Sequence, residues 1–187
     1  MSIFDKLKKN VQSAVKSAAA AAFASEETFT FAALPESLDA MKALPEAALS
    51  SPFATAALTV CALCAYAADK SIGTEMLNFL RGPRPLSNHE ISFLNDRFME
   101  VKYVPFSYFM GAVPANDYTP DTPFTITVTS GPYSDANEGY KKLYIKSGGA
   151  DSPREIVLRR LGDGRWMLWD QFLLVSIRKA RSDDPWA

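Results

Sequence analysis

The sequence predicts an α+β fold, a helical N-terminal half packed on a C-terminal antiparallel β-sheet. Three observations carry this. Residues 53–68, FATAALTVCALCAYAA, are apolar all round, which in a globular chain marks a buried central helix. Past residue 123 come short runs that alternate apolar and polar side chains between polar loops, the pattern of an antiparallel sheet. Gly162-Asp163-Gly164 sits between two β-prone arms, REIVLRR and RWMLWDQ, and Asp-Gly in that setting is a strong hairpin signal.

With 187 residues, 48% of them hydrophobic and 22% charged, the chain suits one large globular domain. Its formal net charge is −1, so nothing global draws it to nucleic acid, and no nucleic-acid partner is expected. Charge is nevertheless uneven. Lys6, Lys8, Lys9 and Lys16 make the start basic, Glu26, Glu27, Glu36, Asp39 and Glu46 follow, and the strand region is basic again. Two cysteines, Cys61 and Cys64, form no disulfide framework, which fits a reducing, cytoplasmic compartment.

Residues 1–24 read as a separate amphipathic helix ahead of a domain over 25–187, with Ile3, Phe4, Leu7, Val11 and Val15 on one stripe and lysines flanking it. Such a stripe docks on the domain or a partner subunit, or, through residues 2–17, lies on a membrane surface. A signal peptide is a third option, but Gln12 and Lys16 interrupt the apolar run it would need. Thr28 to Phe31 alternates as a short strand. Ser37 to Ala43 is a short helix closed by Pro45. Pro52 suits the first turn of the apolar helix, with Ser50 or Ser51 as its cap. Ile72 to Leu80 continues as helix until Arg81-Gly82-Pro83-Arg84-Pro85 stops it. Ser87 and Glu90 make a capping box that opens a helix to about Glu100.

In the second half, Tyr103 to Phe109 reads as an aromatic strand broken by Pro105. Phe124 to Thr129 and Tyr140 to Lys146 are strands with Phe124, Ile126, Val128, Leu143 and Ile145 inward. In the hairpin, a two-residue turn pairs Leu161 with Trp166, Arg159 with Leu168 and Val157 with Asp170. Ile156, Leu158, Met167 and Trp169 then share the other face. A three-residue loop with a bulge is the rival, and it flips one arm. Both faces carry apolar side chains, so the hairpin is expected centrally in the sheet.

Candidate chemistry is sparse. Cys61-Ala62-Leu63-Cys64 has a redox spacing but lies inside an apolar helix, away from the helix start that would lower a thiol pKa. A structural zinc needs four ligands, and His89 is the one histidine, so no metal is expected. His89 sits in a first helical turn, where solvent exposure is the ordinary reading. Arg81 and Arg84 around Gly82 can grip an anion, though no phosphate-loop spacing accompanies them, and no cofactor is expected. Basic residues and tyrosines alternate along Tyr140 to Lys146, as on the solvent face of many sheets. Trp186 is expected to dock in an apolar notch of its own domain or of a neighbouring copy.

Trp166 and Trp169, the run Phe172-Leu173-Leu174, Ile177-Arg178, and Asp184-Pro185-Trp186-Ala187 resemble a family of uncharacterised bacterial proteins classed as a domain of unknown function. That resemblance implies no activity. The hairpin is also similar to terminal hairpins in cone-shaped α+β folds of the nuclear-transport-factor type, from which the long helical half departs.

The expected function is therefore a non-enzymatic interaction or binding module, acting as a homo-oligomer or with a protein partner. The alternative is a small-molecule binder or enzyme whose pocket lies between sheet and helices, lined by Tyr103, Phe106, Tyr108, Trp166 and Trp169.

Overall fold

The structure, a computed structural model, describes residues 25–186, so the amphipathic helix expected over 1–24 lies outside the described residues. Strand β1 (Glu26–Phe31) is followed by helices α1 (Leu38–Lys42), α2 (Pro52–Ala68), α3 (Lys70–Arg81) and α4 (Asn88–Glu100). Strands β2 (Phe124–Ser130), β3 (Tyr140–Ile145), β4 (Arg154–Arg160) and β5 (Trp166–Gln171) complete the order. Helices thus fill the first half and an antiparallel sheet the second, in the strand order β1-β2-β3-β4-β5. β1 is contributed by the helical half and pairs with β2.

α2 is the centre of the molecule. Ser51 caps it, its Oγ accepting the Phe53 and Ala54 amides at 3.2 and 3.5 Å, and Pro52 occupies a position that needs no backbone donor. Of its 17 residues all but Pro52, Ala65 and Ala68 are buried. It touches every strand on one side and α3 on the other. Leu58 and Leu63 are fully buried, each contributing about 1.5–3 kcal/mol by leaving water. α3 turns back after the single residue Asp69, whose Oδ1 caps the Ser71 and Ile72 amides at 2.8 and 3.1 Å. The two helices meet closely at Gly73, where a β-carbon would fall 2.2 Å from Tyr66 Cα. No helix among the described residues is long and apolar enough to cross a membrane.

The sheet buries Ile126, Val128, Leu143, Ile145, Ile156 and Leu158 completely in the common core with α2. Its other face carries hydroxyls and charges, with Tyr140 and Trp169 among them. Thr28 and Thr127 hydroxyls meet at 2.8 Å, and Lys142 pairs with Glu155 at 3.1 Å. Period-two alternation puts these sets on opposite sides.

The hairpin corrects the two-residue turn. Gly164 donates to Leu161 O at 3.0 Å and Leu161 to Arg165 O at 2.8 Å, with Gly164 at φ +93°, the left-handed region glycine takes freely. The loop is therefore Gly162–Gly164, the three-residue rival. Arg160 faces Trp166, Arg159 faces Met167 and Leu158 faces Leu168. The ladder then shifts between Val157 and Leu158, Trp169 is the additional residue, and Val157 faces Asp170. A bulge adds one residue and re-aims its neighbours. Leu168 consequently joins Leu158 in the core, while Trp169 lies beside Tyr140 and Arg159 of the other face.

The expected central position of the hairpin is also corrected, since β5 is an edge strand. Its edge is nevertheless covered, which leaves few of its backbone groups free. Trp166 donates its amide to Leu49 O at 2.7 Å, Arg84 Nη1 donates to Trp169 O at 3.1 Å, and Gly82 rests on Met167. The loop after α3 thus wraps round the edge of β5. Finally, the broken strand expected at Tyr103 to Phe109 is a 3-10 helix over Val104–Tyr108. Pro105 offers no amide to a sheet, and Phe106 and Phe109 donate three residues back at 3.0 and 3.1 Å.

Candidate functional site

The wrapped edge creates a cleft. Pro83 and Arg84 form one wall, the Gly162 turn the other, and the end of β4 supplies Arg159 and Arg160, giving a cleft of about 400 Å³. The Arg84 guanidinium carbon lies 4.5 Å from the Trp169 ring centre and that of Arg159 4.8 Å. Arg159 is also 5.2 Å from the Tyr140 ring, which meets Trp169 edge-on at 5.5 Å. Arg160 lies 6.0 Å from the Trp166 ring. Stacking on a ring holds a guanidinium by its face and leaves its in-plane N–H fork for a planar oxyanion. Arg159 and Arg160 are exposed, and no carboxylate pairs with either among the described residues.

Arg81 lines the floor of this cleft but is already engaged. Its side chain is buried, Nη2 sits 2.6 Å from Glu90 Oε1, and Nε donates to Arg84 O at 3.0 Å. Burial lowers its pKa, Glu90 opposes that, and the neighbouring Arg84 adds to it. Arg84 shares the same carboxylate at 3.2 Å.

A second concavity of about 400 Å³ adjoins the first across Trp169. Tyr133, Tyr140, Trp169 and Phe172 border it, with Val157, Lys142 and Glu155 also lining it. Tyr133 and Phe172 are among the exposed large hydrophobic residues. This second concavity therefore opens on the face of the sheet away from α2, while the first lies at the β5 edge, where Met167 and Leu168 also line it. Between helices and sheet, where a pocket was expected, the structure has a cleft of about 90 Å³ lined by Leu63, Leu77 and Leu94, with Phe93 as its aromatic residue.

The family model described as a domain of unknown function (DUF6935) matches residues 33–181. The chain belongs to that family. The match extends far upstream of the C-terminal residues that carried the resemblance, and it stops short of Asp184-Pro185-Trp186-Ala187. It contains both concavities of the DUF6935 domain and leaves out β1. No curated protein and no solved structure matches the chain.

Of the residues singled out in the sequence, the DUF6935 fold brings Arg81, Arg84 and Trp169 together and sets Trp166 beside them. It separates Tyr103 and Tyr108, which belong to the other end of β5. Tyr103 stacks on Tyr118 at 5.1 Å with planes 10° apart. Tyr108 is buried and donates to Leu173 O at 2.5 Å, and burial pushes its hydroxyl pKa up. Cys61 and Cys64 are buried and unbridged, and His89 is exposed. Trp186 is 93% exposed. Arg159 and Arg160 are site residues that the sequence alone does not single out. Their signal was the paired arginine immediately ahead of the Leu161-Gly162-Asp163-Gly164 turn.

Proposed function

We propose that the domain is a non-enzymatic binding module whose arginine–tryptophan cleft takes an anionic partner. The observation that carries this is the pair of exposed guanidiniums, Arg159 and Arg160, set against aromatic rings and without a carboxylate partner among the described residues. Arginine does not exchange protons at ordinary pH, so the chemistry of this cleft is recognition. A hydrogen bond to a charged group contributes about 1.5–3 kcal/mol, enough for two guanidiniums to dominate binding.

The test is titration with pyrophosphate and with a short aspartate-rich peptide, followed by tryptophan fluorescence, since Trp169 lines the cleft. A saturable change is expected, weakened by salt and lost in an R159A/R160A chain that still melts cooperatively. Absence of any saturable change overturns the reading. A second reading, a small-molecule binder, is favoured by the aromatic border of the adjoining concavity. Binding of a neutral aromatic compound that survives R159A/R160A but not Y140A would support it.

A further inference from the structure

We infer that the partner is a second copy of this chain, whose Asp184–Trp186 segment enters the cleft, the two copies exchanging segments reciprocally. The inference rests on the reading of the cleft as a binding site. Trp186 is the most solvent-exposed large hydrophobic residue among those described, at 93%. Asp184 Oδ1 accepts the Trp186 amide at 3.0 Å, which keeps carboxylate and indole in one turn. No cation pairs with Asp184 among the described residues. The segment thus offers a carboxylate and a large ring, and the cleft offers guanidiniums and the ring of Trp169.

Geometry directs the contact to another copy. The segment follows a stretch tied to Arg154, the first residue of β4, whose Nε donates to Val175 O at 2.9 Å and Nη2 to Ser176 O at 2.7 Å. Arg178 donates its amide to Gly149 O at 2.9 Å, Tyr118 donates its hydroxyl to Arg178 O at 2.7 Å, and Ser182 donates to Asp117 Oδ1 at 2.8 Å. The cleft is at the opposite end of β4, a strand of 7 residues, hence about 20 Å away at roughly 3.3 Å per residue. From Asp183, Trp186 is three residues further on, and its backbone reaches about 10 Å when extended. The segment therefore cannot fill the cleft of its own chain. Reciprocal exchange fills both clefts and closes a two-fold dimer.

Sedimentation velocity of the full chain across a concentration series tests this. A dimer is expected, weakened about tenfold or more by D184K, by W186A and by R159E/R160E. Mixing W186A chains, which keep the cleft, with R159E/R160E chains, which keep the segment, should give a heterodimer held by one of the two contacts, weaker than the native dimer but tighter than either variant forms alone. A variant that merely misfolds could not give that result. A chain monomeric at all concentrations, or a dimer indifferent to all three variants, overturns the inference. A peptide spanning 179–186 and pyrophosphate, each titrated against the D184K chain, separate the two readings. Pyrophosphate binding without peptide binding keeps the cleft and rejects this occupant, whereas binding of neither rejects both.

Discussion

Arg81 Nη2 lies 2.6 Å from Glu90 Oε1, and the arginine side chain is 4% exposed against 29% for the glutamate. The pair joins the last residue of α3 to the first turn of α4. Glu90 does more than neutralise. Its Oε2 also accepts the Ser87 amide at 2.8 Å and hydroxyl at 2.7 Å, completing the capping box. One carboxylate thus fixes both ends of the loop that covers β5. Glu90→Gln should leave the buried cation uncompensated and cost about 3 kcal/mol, read as a lower urea midpoint. Arg81→Met in the Glu90→Gln background should cost less than the sum of the single changes. Simple additivity would show that the two residues act separately.

Acid should expose the same pair. Burial alone would raise the Glu90 carboxyl, but the Ser87 amide and hydroxyl, then Arg81 and Arg84, outweigh it and hold the pKa below the ordinary 4.5. Folding therefore favours the ionised form. Its stabilisation is fully present above pH 4.5 and is lost as pH falls through the lower folded value. The stability gap between the native chain and Glu90→Gln should narrow in that acid window. A gap of constant size down to full protonation would count against this assignment.

Cys61 and Cys64 should be inert in the folded chain. Cys61 is fully buried and Cys64 nearly so, and burial pushes both thiols well above their ordinary range, leaving little thiolate to react. Thiol labelling should proceed at the rate of global unfolding, and labelling as fast as in denaturant would contradict burial. Cys64→Ser should cost about 1–2 kcal/mol, held down by the option of bonding the carbonyl four residues back. Thr59 already does this to Thr55 O at 2.8 Å.

Gly73→Ala separates packing from propensity. Propensity alone predicts a gain of about 1 kcal/mol in a helix interior. The added β-carbon would sit 2.2 Å from Tyr66 Cα, and backbone cannot yield as a side chain can. A loss of about 3 kcal/mol or more is expected, read as a lower melting temperature. An unchanged or raised melting temperature would mean that α2 and α3 are not so closely apposed.

What the sequence made legible was local. The buried α2, the Ser87–Glu90 capping box and the stop after Arg81 each depend on residues within one or two turns, and each stands where it was expected. The hairpin faces did not. Gly162 and Gly164 permit either loop length, and the bulge places Trp169 against Arg84, whose Nη1 bonds to it from 85 residues away. Pro105 redirected an aromatic stretch that looked like a strand. The cleft was half legible. Arg81, Arg84 and Trp169 stood out, whereas Arg159 and Arg160 looked like ordinary strand-end cations. Their role depends on a loop wrapping a sheet edge, and no local pattern reports that.

β1 has a consequence for how the chain reaches and keeps its fold. Thr28 and Thr127 are 99 positions apart, so pairing the first strand with the sheet closes a long loop of chain. Pairings of that span are slow to form, and a mostly exposed edge strand is among the first units to open. Each opening bares the edge of Phe124–Ser130, a threonine-rich run of high β-propensity that another chain could extend. Glu26 and Glu27 stand in this strand as like charges against such stacking. β1 is therefore the guard against aggregation, and amide exchange along it should set the pace at which the sheet edge becomes available to other chains.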